Sequence, residues 1–192
     1  FLADPHYVAR IVDAIDPRPG DNLVEIGPGL AALTAPLIAR CGRLTAIEID
    51  RDLAARLAGR FSPDALTLQV ADALAFDFSA LGARLRVIGN LPYNISSPLL
   101  FHLAQYEQRI HDLTVMLQKE VVARMTAAPA SADYGRLTVM LQARFAALGA
   151  ARSTILNCGC GHPFSFNEVI AELNRALGTA LEPDYFENPY SF

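Results

Sequence analysis

The chain has 192 residues, 52% of them hydrophobic and 19% charged, with a formal net charge of -4 and a pI near 5.5. That length bounds it to one domain, or one domain with an appendage, and its apolar content excludes general disorder. The negative balance excludes a protein that binds nucleic acid with its whole surface, and no apolar run reaches the roughly 18 residues of a membrane span.

The elements follow in chain order. "DPHYVARIVDAI" predicts a helix, with Asp4 as N-cap, Pro5 in the first turn and Val8, Ile11, Val12 and Ile15 on one stripe. "DPRPG" breaks it, and "NLVEI" is a short strand. "LAALTAPLIARC" predicts a helix closed by Gly42, "RLTAIEI" a second strand, and "DRDLAARLAGRF" a helix capped by Asp50. "ALTLQV" and "RLRVIGN" are a third and a fourth strand. "SPLLFHLAQY" is helical, with Ser97 and Pro98 as its start signal. "DLTVMLQ" is a fifth strand, "KEVVARMT" a short helix, "APASAD" a loop, and "YGRLTVMLQARFAAL" prefers helix.

Strands alternating with helices over short connections indicate an α/β fold with a mostly parallel sheet and helices on both faces. In such sheets ligands bind at the carboxyl ends of the strands. The first strand ends in "EIGPG", where Gly27 and Gly29 permit a tight turn and close approach of a ligand; the plain alternative is a βα turn and nothing more. Glu25, just before it, suits either a cationic ligand group or a turn anchor. Glu48 lies 19 positions after Gly29, near the spacing of the acidic residue that holds ribose hydroxyls; the alternative is a surface carboxylate. Asp72 ends the third strand and can accept from an adenine amino group, or cap a short turn. The fourth strand ends in "NLPY", which places an amide, a rigid proline and an aromatic ring after an apolar run.

Taken together, "VEIGPGLAALT", "AIEIDRDLAARL", "QVADAL", "VIGNLPYNISSPLLFHL", "MLQKEVVARM" and "YGRLTVMLQ" resemble the ribosomal RNA adenine N6,N6-dimethyltransferase family over about residues 1–145. The resemblance implies a Rossmann-like methyltransferase fold. It also implies S-adenosyl-L-methionine as cofactor and dimethylation of two adjacent adenines in small-subunit ribosomal RNA or its pre-ribosomal particle. Leu2, Glu25, Ile26, Gly27, Gly29, Glu48, Ile49, Asp72, Ala73 and Asn90 would form the cofactor site. Glu48 would hold the ribose, Asp72 the adenine amino group, and Asn90 would lie near the transferable methyl. Asn90, Leu91, Pro92 and Tyr93 would be the catalytic set.

The chemistry agrees with that assignment. An adenine N6 is a poor nucleophile because its lone pair is conjugated with the ring. The Asn90 side-chain oxygen and the Leu91 carbonyl can accept its two N–H bonds and orient it. Pro92 stiffens the turn, and Tyr93 offers a face on which a splayed-out base stacks. The bland alternative is a proline turn with a core tyrosine.

The family's "GQNFL" stretch is entered here only at Phe1-Leu2, so an incomplete cofactor lid is expected. A methyltransferase domain is expected over 1–148, N-terminally truncated, and an atypical strand–helix tail over 149–192, with the family's helical RNA-gripping domain absent. The tail from about 153 is similar to a C-terminal piece of the extended short-chain dehydrogenase nucleotide-sugar epimerases, but their Tyr-x-x-x-Lys is missing. Thr154 to Leu156 read as a strand and Glu168 to Leu177 as an amphipathic helix. Cys158, Cys160 and His162 are not a complete tetrahedral set, so no metal is expected. The odd cysteine count and the absence of a signal peptide point to the cytoplasm, with no membrane partner and a monomeric state expected. Two other readings stay open: an NAD-binding epimerase-like protein and a catalytically silent ribosome-assembly factor.

Overall fold

The computed structural model describes residues 4–145. Leu2, Phe1 and the tail, with Thr154 to Leu156, Cys158, Cys160, His162 and the helix expected over Glu168 to Leu177, lie outside the described residues, as does the expected domain boundary at 148/149.

The chain opens with helix α1 (Pro5–Ile15), whose N-cap Asp4 accepts from the His6 N–H at 2.8 Å. Strand β1 (Asn22–Ile26) follows, then α2 (Thr34–Cys41), β2 (Leu44–Glu48), α3 (Arg51–Arg60), β3 (Leu66–Val70) and β4 (Leu85–Asn90). After these come α4 (Tyr93–Leu103), β5 (Ile110–Met116), α5 (Lys119–Thr126) and α6 (Arg136–Phe145). The sheet order is β3-β2-β1-β4-β5, and each pairing is parallel. The chain therefore winds outward from β1 to β3, then jumps back to the other side of β1. The switch point lies between β1 and β4, where such sheets open a crevice at the carboxyl ends of the strands.

Helices cover both faces, as expected. Alternate residues of one strand enter two separate cores. Val24, Ile26, Val87 and Val115 pack with Leu99, Leu100, Leu103 and Leu137 of α4 and α6. Leu23, Ile88 and Met116 pack with Ile11, Ile15, Leu37 and Leu57 of α1, α2 and α3. Burial on both faces is why the central strands read as continuous apolar runs.

Two helix starts differ from the sequence expectation. α2 begins at Thr34 rather than Leu30, because turns consume residues 29–33 and Ala31 takes a left-handed φ of 67°. α4 begins at Tyr93 rather than at Ser97-Pro98, and Pro98 sits inside it. The Pro92 carbonyl nucleates that first turn: it accepts from the Ile95 and Ser96 amides, both at 3.1 Å, and from the Ser96 hydroxyl at 2.8 Å. Pro98 has no N–H to give the Asn94 carbonyl, but Asn94 is exposed and water can serve it. Strand β5 also runs two residues earlier than "DLTVMLQ" suggests.

At the amino end of the sheet, opposite the crevice, Arg86 on β4 ties four segments together. Its Nε donates to Asp112 at 2.7 Å, its Nη1 to Asp21 at 2.5 Å and to the Asp16 carbonyl at 3.2 Å, and its Nη2 to the Ile15 carbonyl at 2.6 Å. Burial works against ionisation of Asp21, but the Arg18 N–H and the Arg86 guanidinium hold its carboxyl below the usual range. Replacing Arg86 by methionine leaves Asp21 and Asp112 without their partner. Arg86→Met is expected to cost about 3 kcal/mol, the low end for a broken buried pair, because both carboxylates keep some solvent contact. Urea unfolding checks this, with the slope against denaturant unchanged.

Candidate functional site

Glycine geometry shapes the first strand end. Gly27 and Gly29 have φ of 67° and 55°, values that L side chains rarely adopt, so the "GPG" turn needs both. The Gly27 N–H donates to the Ile47 carbonyl at 2.9 Å, which fixes the turn against β2.

Glu48 is not a surface carboxylate. It is 5% exposed, and its two oxygens join two strand ends: Oε2 accepts from the Gly29 N–H after β1 at 3.2 Å and Oε1 from the Asp50 N–H after β2 at 3.0 Å. It clamps the glycine turn to the start of α3, where Asp50 caps the Asp52 and Leu53 amides. Each carboxylate oxygen retains a second lone pair for a ligand hydroxyl.

Glu25 is 3% exposed and lies on the face of β1 that looks toward α2. Among the described residues its Oε2 meets no donor N–H, and the buried hydroxyl of Thr34 at the head of α2 faces the carboxyl and meets no other group. Burial pushes the Glu25 carboxyl up to about 7; the nearby Thr34 hydroxyl pulls it down and the negative Glu48 pushes it further up. Two buried polar groups at the root of the glycine turn fit a ligand that brings positive charge and donors.

Asp72 follows β3 and is exposed. Its Oδ1 caps the turn by accepting from the Leu74 N–H at 2.9 Å, while Oδ2 takes no donor among the described residues. Turn cap and ligand acceptor are thus compatible roles for one side chain. Ile49 is 65% exposed beside Glu48, whereas Ile26 and Ala73 are buried in the core and can offer a ligand only backbone. A concavity of about 500 Å³ between α1 and α2, lined by Val8, Val12, Leu30 and Ala35, contains none of these carboxylates; the candidate site is the open crevice itself.

The fourth strand end is rigid underneath and open above. Leu91 is buried and donates its N–H to the Met116 carbonyl at 3.1 Å, locking the turn to β5. Gly89 lets β4 approach β1: a Cβ there would sit 2.7 Å from Leu91 Cδ2 and 3.2 Å from the Ile26 carbonyl. Asn90 and Pro92 are exposed, and the Tyr93 ring is 73% exposed, so it is not a core tyrosine. The parallel sheet brings Glu25, Gly27, Gly29, Glu48, Ile49, Asp72 and Asn90 through Tyr93 to one edge.

Sequence reading missed Thr34, which was placed inside a longer helix, and Val70. Val70 is 53% exposed at the end of β3, in register with Glu48. An exposed apolar residue at a strand's carboxyl end was the available signal.

The family model described as "Ribosomal RNA adenine dimethylase" matches residues 1–148. A "Ribosomal RNA small subunit methyltransferase A" of Aromatoleum aromaticum is 63% identical over 145 residues, covering 76% of this chain and 55% of that protein. The crystal structure of a dimethyladenosine transferase from Plasmodium falciparum superposes with TM-score 0.66 at 28% identity, covering 74% of this chain and 52% of that one. The 23S rRNA methyltransferase ErmE gives TM-score 0.63 at 29% identity, covering 72% and 55%. The chain spans about half the length of the curated relatives it matches.

Glu25 generates a stability prediction. Its folded value lies above the ordinary 4.5, so between about 4.5 and 7 the folded state holds a proton that the unfolded state has lost. Stability therefore falls as pH rises through that window. Glu25→Gln removes the penalty and should be more stable than the parent at pH 8, by about 1–3 kcal/mol, and little different at pH 4. Thermal unfolding at the two pH values checks this.

Proposed function

The chain belongs to the ribosomal RNA adenine dimethylase family, and from that premise we propose that it is the S-adenosylmethionine-binding, catalytic part of an enzyme that dimethylates adjacent adenines at N6 in small-subunit ribosomal RNA. The observation that carries the reading is the convergence on one sheet edge of three carboxylates, each ending a different strand, beside an exposed Asn-Leu-Pro-Tyr turn. Residues 1–148 are taken as the methyltransferase domain and 149–192 as a separate tail.

The residues fit the cofactor by their chemistry. Glu25 Oε2 and Thr34 Oγ1 would suit its cationic amino-acid end, and the Gly27–Gly29 turn would leave room for it beside the backbone. Glu48 can take the ribose hydroxyls on its remaining lone pairs, and Asp72 Oδ2 the adenine amino group. Ile49 and Val70 present exposed apolar surface next to those carboxylates, suited to the flat purine. When bound, the cofactor supplies an electrophilic methyl group on a sulfonium.

The protein's own part is to hold the target base. The Asn90 amide oxygen and the Leu91 carbonyl accept the two N6 hydrogens and turn the nitrogen lone pair out of conjugation. The Leu91–Met116 hydrogen bond and the triply bonded Pro92 carbonyl keep those acceptors in place before the base arrives, so little reorganisation is needed. The exposed Tyr93 ring gives the extruded base a stacking face. No strong general base is required, because the methylated nitrogen becomes acidic enough to lose its proton to water. An NAD-binding reading leaves the Asn90–Tyr93 turn without a role.

Two sets of variants test this. Glu48→Ala should weaken S-adenosylmethionine binding tenfold or more, equivalent to about 1.5–3 kcal/mol for hydrogen bonds to a charged acceptor, as read by calorimetry. Asn90→Ala should slow single-turnover methylation of small-subunit particles about 10²-fold or more while leaving the protein folded. Tyr93→Ala should weaken capture of the base by about 1–3 kcal/mol, and Tyr93→Phe should retain most activity. If Tyr93→Phe is as inactive as Tyr93→Ala, the hydroxyl and not the ring face is what matters.

A further inference from the structure

The crevice contains one ionisable group whose surroundings are at odds with its charge. Glu25 sits at the middle of the sheet on β1, between Ala46 of β2 and Ile88 of β4 in the strand register. Both of those neighbours are buried and apolar. α2 presents the Thr34 hydroxyl, and β2 presents the carboxylate of Glu48. Glu48 is fully engaged with backbone donors, Gly29 N–H and Asp50 N–H, so its negative charge is well supported where it stands. Glu25 has less support: its Oε2 is buried and meets no backbone donor among the described residues, and the Thr34 hydroxyl is the group that favours its charged form. Burial first, and then the neighbouring Glu48 carboxylate, favour the protonated form of Glu25.

We propose that Glu25 is protonated in the ligand-free protein and surrenders that proton to solvent when the cationic end of S-adenosylmethionine enters, so that cofactor uptake and proton release are one event. The balance is simple. The carboxyl O–H bond breaks, the proton passes to buffer, and the carboxylate left behind pairs with the incoming positive charge. Thr34 acts as the positioning residue: its buried hydroxyl faces the Glu25 carboxyl, favours the charged form by hydrogen bonding to it, and so sets how readily the proton leaves. Burial then has a purpose at this position. A carboxylate that stayed charged in the empty crevice would impose a desolvation cost on folding, whereas a protonated one becomes charged only when a counter-charge is there to meet it. The inference rests on the cofactor reading above and adds to it the protonation state of the receiving group.

The test uses the full 192-residue chain. Calorimetry with S-adenosylmethionine in phosphate and in imidazole, buffers of different ionisation enthalpy that both take up protons at pH 6 to 8, counts the protons released. With the Glu25 carboxyl at about 7, release should be about half a proton at pH 7 and close to one at pH 6, and affinity should fall about tenfold from pH 8 to pH 6. Glu25→Gln, of the same shape, should bind with no release attributable to this site and with a flatter pH profile; the cofactor's own titration appears in both proteins and cancels. Thr34→Val should release more than the parent at pH 7. Carbon-13 NMR of the glutamate carboxyls in the empty protein should show one group titrating near 7 that disappears in Glu25→Gln. An ordinary midpoint for Glu25, or identical proton release from Glu25→Gln and the parent, overturns the proposal. If the parent protein shows the carboxyl midpoint near 7 but binds no S-adenosylmethionine at any pH, the cofactor reading itself is wrong and the linkage falls with it.

Discussion

Parallel pairing of β1 between β2 and β4 is the constraint on which the rest of this molecule depends. A parallel neighbour can be reached only by a crossover that carries the chain back to the start of the sheet. Each strand must therefore finish on the same edge, and whatever residue follows it is delivered there. Three carboxylates and an amide that are far apart in sequence become neighbours by this rule alone. The reversal of winding at β1 then parts the connections to either side and leaves the crevice open.

The two ends of the sheet treat charge in opposite ways. At the amino end, Arg86 finds an acceptor for each of its nitrogens, and the segments it joins are held shut. At the carboxyl end, Glu25 Oε2 is buried with no backbone donor among the described residues, and Tyr93 and Ile49 are left uncovered. The amino end is closed by ion pairs. The carboxyl end keeps unmet hydrogen-bonding capacity and exposed apolar surface, which is destabilising in isolation.

Much of this was legible in the sequence. The strands announced themselves as apolar runs because both sheet faces are covered, and Asp4 and Asp50 marked their helices because an N-cap is a local device that needs no tertiary context. The starts of α2 and α4 were less legible. Ala31 in a left-handed conformation and Pro98 inside a helix both go against local preference, and each is held by surrounding structure. Glu48 was found by spacing and Glu25 and Asp72 by their positions at strand ends, but their environments were not. No pattern in the sequence says that Glu48 would be satisfied by Gly29 and Asp50 while Glu25 Oε2 would meet no backbone donor; that difference arises only from packing. Thr34 was invisible for the same reason, since a threonine in a helix is unremarkable until a buried carboxyl faces it.

Gly89 has a consequence for anyone wishing to change what the crevice accepts. Any side chain there must push the Leu91 side chain aside and lean on the Ile26 backbone, which is the last residue before the glycine turn. The floor under the Asn90–Tyr93 turn and the floor under the glycine turn thus meet at Gly89. A substitution in this floor moves Leu91 and presses on the Ile26 carbonyl, and so disturbs both turns at once. Variation placed on the uncovered rim, at Ile49, Val70, Tyr93 and Asn94, alters the walls of the crevice and leaves its foundation standing.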